Sequence, residues 1–127
     1  MRPGNRYNYF IQGAIPRYRF VTPGTVDRSV KVAAGATAPL IGVCHDINLA
    51  DGERGDIVRD AMPEIEYGGT ITRGDLLTAD AEGRAIAVVD PAAGTTVYYG
   101  AIAEVSGVVG DICPTFLAIG KLIGPAV

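Results

Sequence analysis

The chain has 127 residues, 48% of them hydrophobic, which supports one domain with a real core and excludes two. Its net charge of −3 is unevenly spread: residues 1–31 carry six basic side chains against one acidic, a net of +5, and residues 32–127 carry five against thirteen, a net of −8. A basic leading segment on an acidic body fits self-association or docking on an acidic protein surface; with no continuous basic run it argues against nucleic acid, and no apolar stretch reaches a membrane span or a signal-peptide core.

Residues 1–16 read as an extended N-terminal arm, with Pro3, Gly4, Gly13 and Pro16 at its ends and Tyr7, Tyr9 and Phe10 set among Arg2, Asn5, Arg6 and Asn8. Aromatic and arginine side chains carry much of the energy at protein interfaces. Arg2, Arg6, Tyr7, Tyr9 and Phe10, continued by Arg17 and Arg19, are therefore the expected contact residues. Residues 17–127 form the body. Its longest window free of both Gly and Pro, Thr25–Ala34, is ten residues. That leaves almost no room for an average helix of about 11–12 residues, whereas strands of five or six fit easily. The spacing predicts an all-β fold, a small single-domain barrel or sandwich of short strands.

Alternation agrees with this. Tyr18 and Phe20 face away from Arg17 and Arg19, Val30 and Val32 alternate with Ser29 and Lys31, and Ile65 and Tyr67 alternate with Glu64 and Glu66. Strands are expected at Ile41–Cys44, Asp56–Asp60, Tyr98–Val105 and Asp111–Ile119, and Leu76–Ala79 with Arg84–Val88 reads as a hairpin whose Gly83 is left-handed. Gly-Asp-aliphatic occurs three times, at Gly55-Asp56-Ile57, Gly74-Asp75-Leu76 and Gly110-Asp111-Ile112. Each is expected to close a turn on a positive-φ glycine, with the aspartate bonding local backbone and the aliphatic residue opening a strand.

Catalytic candidates are few. Cys44-His45-Asp46 holds a nucleophile, a base and an acid, but contiguously. Neighbouring strand side chains point to opposite faces, so the expected reading is a strand ending at buried Cys44 and turning through His45 and Asp46. One histidine and two distant cysteines match no zinc spacing, and no phosphate-binding glycine loop is present, so no metal, cofactor or catalytic residue is expected. Cys44 and Cys113 are expected as reduced, buried, small hydrophobes, with a disulfide between them the alternative. Glu64 and Glu66 share a strand face and read as a solvated edge, and Arg73-Gly74-Asp75 is one copy of the turn rather than an adhesion motif.

The segment Gly69-Thr70-Ile71-Thr72-Arg73-Gly74-Asp75-Leu76-Leu77-Thr78-Ala79-Asp80-Ala81-Glu82-Gly83-Arg84-Ala85-Ile86-Ala87 resembles the centre of the capsid decoration, or cement, proteins of tailed bacteriophages. Leu40-Ile41-Gly42-Val43 is similar to an upstream strand of that family, and Tyr99-Gly100-Ala101-Ile102-Ala103 with Val109-Gly110-Asp111-Ile112 to its closing hairpin. The likeness runs in order over roughly residues 30–118; the aromatic arm and the tail from Pro114 to Val127 depart from it. The resemblance implies a virion structural protein on the outer capsid surface, made in the host cytoplasm, often trimeric, that clamps major capsid protein subunits and has no active site. The competing expectation is a small β module that binds a peptide or a carbohydrate on a virion or host component.

Overall fold

Glycine and proline cut the chain into runs too short for helices, and the computed structural model, which describes residues 6–126, contains strands, turns and no helix over that range. Strands β1 (Arg6–Ile11), β2 (Arg19–Pro23), β3 (Ser29–Val32), β4 (Gly42–Cys44) and β5 (Arg54–Val58) close into a barrel in the order β1-β3-β2-β4-β5. Within it β1 runs parallel to β3 and antiparallel to β5. Strands β6 (Glu64–Glu66), β7 (Leu76–Ala79), β8 (Ala85–Ala87), β9 (Thr96–Ala103) and β10 (Ile112–Ile123) form a second sheet in the order β6-β10-β9-β7-β8. A bridge between Tyr67 and Ala85, with Gly68 N–H donating to Ala85 O at 2.7 Å, joins the two ends of that sheet into a near-ring.

Two cores follow from strict alternation. Ile11, Ile15, Val21, Val30, Cys44, Leu49 and Ile57 fill the barrel. The next residue along three of these strands, Phe20, Val43 and Val58, points out of the barrel and packs with Ile65, Tyr67, Leu77, Ala101 and Leu117 of the second sheet. Phe20 pairs with Val43 and Val43 with Val58, so the three stand in one row across β2, β4 and β5. Strands buried on both faces lose the in–out pattern and read as continuous apolar runs, as Ile57-Val58 does. Cys44 and Cys113 belong to different cores and are both free thiols.

Two of the turns are built by one device. Thr72–Asp75 and Val108–Asp111 each place glycine third at positive φ, 95° for Gly74 and 92° for Gly110. In each, the aspartate N–H donates back to the first residue's carbonyl and its carboxylate accepts that residue's N–H at 2.9 Å. A positive φ only at the third position makes these type II turns. The hairpin β7–β8 turns on Gly83, φ 82°, as expected.

Two expectations change. Gly55 is not a turn residue: it lies within β5 under Leu49, whose Cδ2 would stand 2.7 Å from an added Cβ. The third copy of the turn is instead Ala50–Glu53, with Gly52 at φ 85° and the Glu53 carboxylate accepting Ala50 N–H at 2.7 Å. The arm expected over residues 1–16 is also, from Arg6 to Ile11, a strand of the barrel, paired with β5 from Arg6↔Val58 to Phe10↔Arg54. Ile11 and Ile15 are completely buried. The physical reason is that proline and glycine at the ends of this segment bound a strand whose partner lies some fifty residues away.

Candidate interaction surface

Of the residues expected to make contact, Arg2 lies outside the described residues. The other six do not form one patch. On β1, Tyr7 and Tyr9 share the inward face with Ile11; Tyr9 packs against the barrel core, and its hydroxyl accepts from Arg59 Nη1 at 2.9 Å. Tyr7, at the open end of the barrel, stays 49% exposed. Arg6, Asn8 and Phe10 face outward, where Asn8 bonds both Arg54 and Asp56. Arg6 reaches Asp46 at 3.6 Å, and Arg17 N–H donates to Asn48 Oδ1 at 2.9 Å, so these two arginines bracket the loop 45–49. Arg17 also lies over the Tyr18 ring at 5.8 Å.

Arg19 is engaged within the fold. Its guanidinium is largely covered, donating to Glu66 Oε1 at 3.1 Å and to Glu82 O at 3.1 Å. Arg84 joins the same cluster through Asp80 at 2.9 Å and, more distantly, Glu66 and Glu82, and the Asp80 carboxylate is the main cause of the upward shift of its pKa. Glu66, read from sequence as a solvated residue, is thus the anion that ties β2 to the second sheet, and Glu66 N–H donates to Tyr18 O as well.

The Cys44-His45-Asp46 stretch takes the expected shape. β4 ends at Cys44, whose thiol points into the barrel, donates to Ile47 O at 3.1 Å and is pushed up to about 12 by burial, with Asp46 adding to the shift. His45 turns the other way and meets the Tyr18 ring edge-on at 5.8 Å. Its Nε2 is 3.9 Å from Glu64 Oε1, a distance that would make an ion pair of a charged imidazole. Burial, the largest influence, lowers its pKa below the ordinary value, so at neutral pH the ring is uncharged and no such pair exists. Among the described residues no cluster of His, Cys, Asp or Glu could hold a metal ion.

The outer face of the second sheet is where exposed apolar area gathers. Phe116 pairs with Ile102 and Ile102 with Leu76, so three apolar side chains stand abreast across β10, β9 and β7. Phe116 is 47% exposed, and Ile112, two pairs along the same strand, is 43% exposed. Beyond a bulge after Leu117, β10 continues with β9 as a two-stranded ribbon, Thr96–Tyr99 against Gly120–Ile123, that outruns the rest of the sheet. Contiguous exposed apolar area of this kind marks interaction sites on soluble proteins.

No family model and no curated protein matches the chain. Its fold is similar to that of a solved structure, the head fiber gp8.5 N base in bacteriophage phi29, with a TM-score of 0.67 over 90% of this chain and 93% of that one. The two sequences are 18% identical. They share a fold.

Sequence reasoning missed the outer face of β10. Its residues alternate correctly, with Cys113, Thr115 and Leu117 inward, but alternation marks the opposite face as solvent and gives no weight to Ile112 and Phe116 standing there. The signal was available in residue type, since two large hydrophobics on an exposed face are unusual neighbours.

Proposed function

We propose that this chain is a structural protein of a phage virion that sits on the outer surface of the mature head, binds the major capsid protein and stabilises the shell against internal DNA pressure. The single observation that carries the reading is the likeness, over nine-tenths of both chains, to a protein described as a phage head fiber base. The decoration-protein resemblance of residues 30–118 supports it from sequence alone. In this reading the chain assembles as a homotrimer, does no chemistry, takes no cofactor and touches neither nucleic acid nor membrane. Binding that exists only on the mature shell stabilises that shell by its own free energy, repeated over every site. Arg6, Tyr7, Phe10 and Arg17, together with the Phe116 face, supply the contacts.

The test compares virions assembled with and without the chain. Virions lacking it are expected to release DNA at a lower temperature, and adding the purified chain should restore the higher one. Equal release temperatures would remove the stabilising role, and absence of the chain from purified virions would remove the virion placement.

A further inference from the structure

A sheet edge is a template for another strand, and natural β proteins cover, shorten or charge their edges. This chain closes nearly all of its own. The barrel has no edge, the ends of the second sheet meet at Tyr67 and Ala85, and Glu66 N–H of β6 is bonded to Tyr18 O. On the ribbon, the outward N–H of Tyr98 in β9 donates to Ala36 O at 2.9 Å.

The far side of β10 differs. Its first half is covered: Thr115 N–H donates to Pro63 O and Leu117 N–H to Ala61 O. In an antiparallel ladder alternate residues turn their main-chain groups toward the partner and the rest away. Gly124 N–H donates to Thr95 O at 2.7 Å, which in the register Ile123↔Thr96 turns Gly120 and Leu122 toward β9, and Lys121 and Ile123 away from it. Among the described residues no group bonds the outward N–H of Lys121 or of Ile123. Ile119 and Ile123 flank Lys121 at 46% and 69% exposure, and Lys121 forms no ion pair among the described residues. Beside this edge Ile119 and Lys121 border an apolar trough completed by Pro39, Leu40, Ile41 and Tyr98, of about 330 Å³.

We infer that the β10 edge at Ile119–Ile123 receives an extended strand from a capsid subunit, which carries apolar side chains on either side of an acidic one; this rests on the virion reading above. Main-chain bonds would supply affinity, and the trough would take the strand's apolar side chains. The acidic residue is assigned by charge: it would answer Lys121, a cation at the middle of the edge with no ion-pair partner among the described residues. A second copy of this chain is the poorer occupant. Pairing the whole edge with itself about its centre sets Lys121 opposite its own copy, and like charges in direct opposition are unfavourable.

The test uses the full chain with mature heads of the phage that encodes it. Lys121→Pro removes an N–H that nothing among the described residues accepts, so the fold should persist, while a ladder through this edge cannot form. Lys121→Ala keeps the N–H and removes the charge. Expected are weakening of head binding by about tenfold or more for the proline variant, a smaller loss for the alanine variant, and slowed amide exchange at 119–123 in the bound wild type. Undiminished binding by a folded proline variant would overturn the edge and leave the head-binding reading standing. Wild type bound to heads without new protection at 119–123 would do the same, and this measurement decides the matter should the proline variant not fold. Failure of the wild type to bind heads would overturn both. Protection of 119–123 in the free chain that grows with its concentration would overturn the capsid strand in favour of a second copy.

Discussion

His45 has both ring nitrogens buried and without a hydrogen-bond partner among the described residues, which makes its protonation a stability matter. Its folded pKa is depressed, chiefly by burial and against the opposing pull of Asp46. As pH falls through the unfolded value of about 6.5, the unfolded chain takes a proton that the folded chain refuses, so stability present above that pH is lost below it. Urea unfolding between about pH 7 and 5 should show this decline, and His45→Phe should remove that part of it; equal slopes for the two proteins would contradict the assignment. A second residue-scale test concerns backbone strain. Arg28 stands third in the turn Val26–Ser29 at φ 62°, the place that Gly52, Gly74 and Gly110 hold in theirs. Arg28→Gly should stabilise by roughly 0.5 kcal/mol, and Gly110→Ala should destabilise by about 1 kcal/mol although a Cβ there meets nothing within 4 Å. Opposite signs in thermal unfolding would refute the strain argument. The Cys44 thiol, raised to about 12, should resist iodoacetamide in the folded chain and react once unfolded, as read by mass spectrometry.

Strands whose signals are local were legible, and the one whose signals are distant was not. Gly83 ends a hairpin between strands that are sequence neighbours, and β4, β5, β9 and β10 all fall within the expected segments to within a few residues. β1 fails because its register is set by Tyr7↔Ile57 and Tyr9↔Gly55, pairings that no local pattern contains. Gly55 fails for a related reason: a glycine needed so that Leu49 can pack over it carries the same letters as a turn. Integration of β1 has a consequence. A chain of residues 17–127 loses Ile11, Ile15 and the strand that closes the barrel, so it should show no dispersed amide spectrum, whereas an independent arm would leave a folded body. At the seam between barrel and sheet, Phe20→Ala should cost about 3–5 kcal/mol of unfolding free energy, because Phe20 is fully buried and reaches from the barrel into the core of the second sheet.

At the scale of the molecule, composition and the spacing of glycine and proline specified an all-β domain, and the fold confirms it. Where the expected contact residues come to lie was only partly readable. Aromatic and arginine content singled out seven residues from Arg2 to Arg19; of the six that are described, Tyr9 packs on the barrel core, Arg19 forms a covered ion pair, and Arg6, Tyr7, Phe10 and Arg17 remain at the surface. The apolar face of β10 and its open edge depend on which strand ends up beside which, and topology of that kind is absent from any short window of sequence. The measurement that bears most directly on the virion reading is co-sedimentation of the purified chain with mature, undecorated heads of its phage, with immature procapsids as control. Saturable binding to mature heads alone is the predicted result, and it returns the number of copies per head. Absence of binding to either shell would contradict the proposal.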